Sequence, residues 1–96
     1  MKREIVLAIL EQHCLSLKEL GVKSLMLFGS VARDQATLNS DVDILAEFEP
    51  PITFDRYMDV KLYIEDQLGT KVDLVSLKSL KPQILALVEQ EAIRVA

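Results

Sequence analysis

The stretch "GSVARDQATLNSDVDILAEF", residues 29–48, decides how the chain is read. Its second half has the composition of a buried strand, with Val42, Ile44 and Phe48, yet it places Asp41 and Asp43 two residues apart. Residues i and i+2 of a strand point to one face, so both carboxylates share a side, with Cα atoms roughly 6.6 Å apart at about 3.3 Å per residue. Like charges at that spacing are unfavourable unless water or a cation relieves them, and Asp is a poor strand former. The pair therefore asks for a divalent metal. The plain alternative is a wet strand face carrying Asp41, Asp43 and Glu47, and for an isolated Asp-x-Asp that is the commoner explanation.

Other features shift the balance. Asp73 interrupts the apolar strand pattern of "KVDLVSL", residues 71–77. If that strand lies beside residues 41–48, Asp73 completes a three-carboxylate cluster of hard oxygen ligands suited to Mg²⁺. Gly29-Ser30 follows the strand pattern "SLMLF", residues 24–28, and opens a short helix expected from Val31 to about Ala36. Glycine lets the backbone approach a ligand, Ser30 offers a hydroxyl, and the N–H groups of a helix start favour phosphate. Arg33 is placed to reach the same phosphates with its guanidinium fork. Taken singly, Gly-Ser is a turn and Arg33 a surface cation; in combination they describe a phosphate cradle followed by a metal-binding strand.

Outward from this stretch the element order reads α-β-α-β-α-β-α. Val6, Leu10, Cys14, Leu17 and Leu20 form one helical stripe that Gly21 ends. Pro50 and Pro51 stop the second strand, and Thr53 caps a helix whose stripe is Tyr57, Val60, Ile64 and Leu68, ending at Gly69. Ser79 or Lys81 opens a last helix with Pro82 in its first turn and Leu85, Val88 and Ala92 along one face. The expectation is a single domain spanning 1–96, of α/β (α+β) class, with a small mixed sheet of three strands or slightly more and about four flanking helices.

Composition narrows the function classes. Fifteen acidic against eleven basic residues leave a net charge of −4 with no basic block, a poor footprint for gripping duplex nucleic acid. Half of the residues are hydrophobic and 27% charged, which excludes a disordered chain and leaves apolar surface for a partner or a homo-oligomer. Cys14 is the only cysteine, so neither an internal disulfide nor a Cys-based zinc site is available. The apolar run after "MKRE" breaks at Glu11, too short for a signal or a membrane span, and the chain is read as cytoplasmic and soluble. An EF-hand is disfavoured because Ala46 stands where the loop needs glycine, and no Gly-Lys-Ser/Thr loop occurs. An Asp-x-Asp glycosyltransferase is disfavoured by the chain's size. His13 is read as an ordinary, partly exposed residue. Lys78 and Lys81 are read as solvated, and the roles of Tyr57 and Tyr63 stay open.

Gly29-Ser30-Val31-Ala32-Arg33, then Ser40-Asp41-Val42-Asp43-Ile44-Leu45, then Asp73, resembles the DNA polymerase β-like nucleotidyltransferase superfamily. Within it the chain is similar to minimal nucleotidyltransferases, often paired with a helical HEPN partner in prokaryotic toxin–antitoxin modules. The resemblance implies the nucleotidyltransferase fold and a nucleoside triphosphate, ATP, bound at Gly29, Ser30, Arg33 and Ser40. It implies Asp41, Asp43 and Asp73 as catalytic, metal-binding carboxylates for two Mg²⁺ ions. Two such ions about 3.5 to 4 Å apart clamp the attacking and leaving oxygens of an in-line displacement. The implied reaction moves AMP to a hydroxyl on a partner protein, with the chain as antitoxin. The alternative is a weak or inactive antitoxin that neutralises its partner by binding alone. Asp34 departs from the glycine that commonly follows the arginine, and a carboxylate there would weaken triphosphate binding.

Overall fold

The structure, a computed structural model, describes residues 2–33 and 41–95. Along the described chain run α1 (Arg3–Gln12), α2 (Cys14–Glu19), β1 (Val22–Phe28), α3 (Gly29–Ala32), β2 (Val42–Phe48), α4 (Phe54–Leu68), β3 (Val72–Ser76), a 3₁₀ turn (Leu77–Ser79), α5 (Pro82–Glu91) and β4 (Ile93–Arg94). The strands form one mixed sheet in the order β3-β2-β1-β4. β2 runs antiparallel to β1 and parallel to β3, and β4 adds antiparallel to the far edge of β1. A parallel pair needs a long crossover, and α4 supplies it between β2 and β3.

One sheet face carries the core. Leu25 and Leu27 of β1, Val42, Ile44, Ala46 and Phe48 of β2, and Val72 and Leu74 of β3 are buried in one cluster with Val6, Leu10 and Leu17 of the first helices and Val60, Ile64 and Leu68 of α4. Each large aliphatic side chain so buried contributes roughly 1.5–3 kcal/mol, so this face dominates stability. The stripe expected on α4 is present. Thr53 caps it by accepting a hydrogen bond from Arg56 N–H at 3.1 Å, and Gly69 ends it in the left-handed region at φ 69°. The Arg56 guanidinium turns back onto the Glu49 and Pro51 carbonyls at 3.1 and 3.4 Å, fastening the turn that leads from β2 into α4.

The first helical stripe is real but divided. His13 leaves helical geometry at φ −102°, ψ 14° and separates α1 from α2. At the break its ring meets the Tyr63 hydroxyl, with 2.9 Å between that oxygen and Nδ1. Periodicity places both halves on the core but does not see this polar contact, which comes from α4. The fourth strand, β4, makes the sheet slightly larger than three strands, within the expectation, though its place had no signal because two residues carry no period of their own. The helix expected from Val31 to about Ala36 appears as α3 at Gly29–Ala32; it starts two residues earlier, Arg33 already leaves it at φ −84°, ψ 0°, and residues 34–36 lie outside those described.

Two α4 side chains hold β3 in place. The Tyr57 hydroxyl donates to the Leu74 carbonyl at 2.5 Å, and the Val72 N–H donates to a Glu65 carboxylate oxygen at 2.9 Å. A hydrogen bond to a charged acceptor contributes about 1.5–3 kcal/mol, more than a neutral one. Glu65→Ala is therefore expected to lose about 1–3 kcal/mol in urea denaturation, and Glu65→Gln, which keeps an acceptor oxygen, distinctly less.

Candidate active site

The sheet topology gathers one end of three strands. β1 and β2 are antiparallel, so the exit of β1 lies beside the entry of β2; β2 and β3 are parallel, so their entries coincide. Phe28 stands opposite Asp43, and Asp43 opposite Asp73. Residues 29, 43 and 73, far apart in sequence, thus meet on the sheet face turned away from the core cluster.

Gly29 follows β1 directly at φ +73°, a conformation that side chains other than glycine resist. A Cβ at this position would fall 2.9 Å from Asp43 Cγ and 3.0 Å from its Cβ, and closer still to the carboxylate oxygen Oδ2. Only a bare Cα leaves room for the Asp43 carboxylate. Glycine here thus serves the packing of the carboxylate as well as the approach of a ligand.

The Asp43 carboxyl is pushed above the ordinary carboxylate range. Partial burial is the main cause, followed by the negative charges of Asp73 and Asp41 and a side-chain hydrogen bond with Asp73; the Arg33 guanidinium opposes the shift. Burial and two neighbouring negative charges thus disfavour the ionised form of Asp43, a crowding that a cation would relieve.

The expected three-carboxylate cluster is gathered only in part. Among the described residues no three His, Cys, Asp or Glu side chains stand close enough to hold a metal ion. Asp43 and Asp73 meet in register, whereas Asp41 precedes β2, is exposed, and reaches Asp43 through its charge. The period-2 argument placed both aspartates on one strand face; the strand begins one residue too late for Asp41 to be fixed that way. Ser30 has its backbone in α3. Ser40 and Asp34 lie outside the described residues. Arg33 caps α3 and pairs with Glu91 at the end of α5, Nη1 to Oε2, at 3.0 Å. That partner was missed by sequence reading, and a contact spanning 58 residues leaves no local signal. Lys78 and Lys81 are exposed, as expected, while Tyr57 and Tyr63 make the hydrogen bonds to Leu74 and His13.

Residues 12–96 match the family model described as "Polymerase beta, Nucleotidyltransferase". The chain belongs to this nucleotidyltransferase family. It is 42% identical over 89 residues to a "Putative protein adenylyltransferase" of Methanocaldococcus jannaschii, covering 91% of each chain. Against "Protein adenylyltransferase MntA" of Thermococcus cleftensis it is 39% identical over 93 residues, covering 96% of this chain and 94% of that one. A solved "putative minimal nucleotidyltransferase" superposes with a TM-score of 0.86 at 36% identity, over 97% of this chain and 95% of that chain. The fold also recurs in a complex of tri-AMPylated Shewanella oneidensis HEPN toxin with MNT antitoxin, with a TM-score of 0.66 at 18% identity, over 98% of this chain and 71% of that one. Among the described residues, no helix is long and apolar enough to cross a membrane.

Two outcomes follow from the geometry. Gly29→Ala should destabilise by more than the roughly 1–2 kcal/mol of a left-handed alanine, since Asp43 must also move, and urea denaturation measures the difference. Asp43 carries a raised folded-state pKa, so its contribution to stability is complete below about pH 4 and is lost as pH rises through the raised value. Asp43→Asn should accordingly melt above the parent at about pH 7–8, with the advantage shrinking toward about pH 4 in thermal scans.

Proposed function

We propose that the chain transfers AMP from ATP to a hydroxyl on a protein partner, in the cytoplasm, as the antitoxin of a pair with a small helical HEPN-type toxin. The observation that carries the reading is the Asp43–Asp73 pair set against Gly29, where a polyanion and a reacting hydroxyl would meet. Family membership supports nucleotidyl transfer, the names of the relatives support a protein as acceptor, and the HEPN complex of a structural neighbour supports the partner.

The donor set suits a hard divalent cation. Asp43 and Asp73 stand in register, the crowding at Asp43 is of the kind a doubly charged ion relieves, and oxygen donors are what Mg²⁺ prefers. Asp43 and Asp73 would hold the ions, with Asp41 completing the set. When bound, Mg²⁺ would neutralise phosphate charge and steady the attacking and leaving oxygens.

The chain's own residues do the rest. The Gly29 backbone, Ser30, Arg33 and Ser40 hold the β- and γ-phosphates and so aim the α-phosphorus at the sheet end. Asp73 takes the proton of the acceptor hydroxyl as its oxygen bonds to the α-phosphorus. The bond from that phosphorus to the bridging oxygen breaks, and pyrophosphate leaves with the electron pair. A positioned base of this kind contributes typically 10²–10⁴-fold.

A second reading, neutralisation by binding alone, draws on the apolar side chains exposed on α5, Ile84 at 46% and Leu87 at 65%. Transfer of label from α-labelled ATP into the partner separates the two. The parent chain with Mg²⁺ should label the partner, and Asp41→Asn/Asp43→Asn should abolish labelling while staying folded. Neutralisation that persists in the double variant and in the absence of ATP would replace the enzyme reading with the binding one.

A further inference from the structure

Among the described residues the Arg33 guanidinium faces two demands. Its Nη1 lies 3.0 Å from Oε2 of Glu91, and its charge also reaches Asp43 in the candidate site, favouring the ionised carboxylate. Arg33 closes α3, the short element that begins at Gly29, so the pair ties the phosphate side of the site to the last residue of α5. Both partners are half-exposed, at 45% and 54%, which makes the pair weak and exchangeable. A polyphosphate offers the same guanidinium a stronger, bidentate acceptor. Glu91 is also an acid at a helix C-terminus, where the macrodipole disfavours negative charge. Its place there costs α5 a little, and Arg33 offsets that cost.

We propose that Glu91 competes with the phosphates of the nucleotide for Arg33 and thereby sets nucleotide affinity. Without nucleotide it occupies the guanidinium; when phosphates arrive it yields, leaving its own negative charge beside them. Glu91 is thus a positioning residue, acting through Arg33 and not on the reacting atoms. The inference rests on Arg33 as a phosphate ligand, as set out under the proposed function.

The test is calorimetric titration of the full chain with Mg²⁺-ATP and, separately, with tripolyphosphate, which carries no base. Glu91→Gln should tighten both by about two- to five-fold at low salt, the range of an exposed ion pair, and less as salt rises. It should lower the KM for nucleotide while leaving kcat unchanged. Glu91→Asp, which keeps the charge, should stay nearer the parent, and Glu89→Gln, an exposed acid on the same helix, should have a smaller effect. In an Arg33→Gln background the Glu91→Gln gain should vanish. If Arg33→Gln weakens both ligands but Glu91→Gln does not tighten them, the competition is refuted while Arg33 remains a phosphate ligand. If Arg33→Gln changes neither affinity, Arg33 is not a phosphate ligand and the inference falls with that assignment. If neither ligand binds the parent, the nucleotide reading itself falls and takes the inference with it.

Discussion

The parallel register that puts Asp43 opposite Asp73 is the constraint on which the rest of the molecule depends. Left to themselves, two carboxylates move apart; here neither can. Asp43 is held between core neighbours Val42 and Ile44, both essentially inaccessible, and Asp73 between Val72 and Leu74, which are nearly so. β3 is further fastened by Tyr57 at the Leu74 carbonyl and by Glu65 at the Val72 N–H. The hydrophobic burial of one face thus supplies the free energy that keeps like charges together on the other. Catalytic sites commonly carry such a cost, met by stability elsewhere in the fold.

The division of labour between the faces explains the otherwise odd pattern of β2. Val42, Ile44, Ala46 and Phe48 belong to the main core, while Asp43, Leu45 and Glu47 alternate with them on the opposite side. Leu45 is fully buried yet belongs to no part of the main core cluster, so the second face is covered at Leu45 beside the half-buried Asp43, while Asp73 is exposed. That cover explains why burial leads the causes of the Asp43 shift.

Much of this was legible in the residues. The α4 stripe with Thr53 and Gly69 and the interruption of an apolar strand by Asp73 are local signals that match the structure, and the strand expected at residues 41–48 is found one residue shorter, at Val42–Phe48. The meeting of Asp43 and Asp73 needed one further assumption, that their strands are neighbours, which a crossover helix of α4's length makes natural. Glycine at position 29 was legible as a ligand approach; that it also clears space for Asp43 depends on a contact across strands and was not. The break at His13 was invisible because its polar partner, Tyr63, lies on another helix. β4 was invisible because two residues have no period, and Glu91 because its pairing is purely tertiary. What escaped the sequence is long-range and polar; what it revealed is local and apolar.

A net negative chain that handles a nucleotide has an electrostatic difficulty, and the layout of charge around the site answers it. At physiological ionic strength charges farther than about 8 Å are largely screened, so the overall −4 matters less than what stands close to where the proposed reading puts the phosphates. There the chain places Arg33 and the bare backbone of Gly29 against Asp41, Asp43 and Asp73. Among the described residues, the Arg33 guanidinium does not balance these carboxylates together with a triphosphate. Under the proposed reading the deficit is made up by divalent cations, and the crowding that disfavours the ionised form of Asp43 is the crowding that such cations would relieve. Loaded with divalent cations, the carboxylates would present positive charge to the phosphates, which would link nucleotide binding to metal binding.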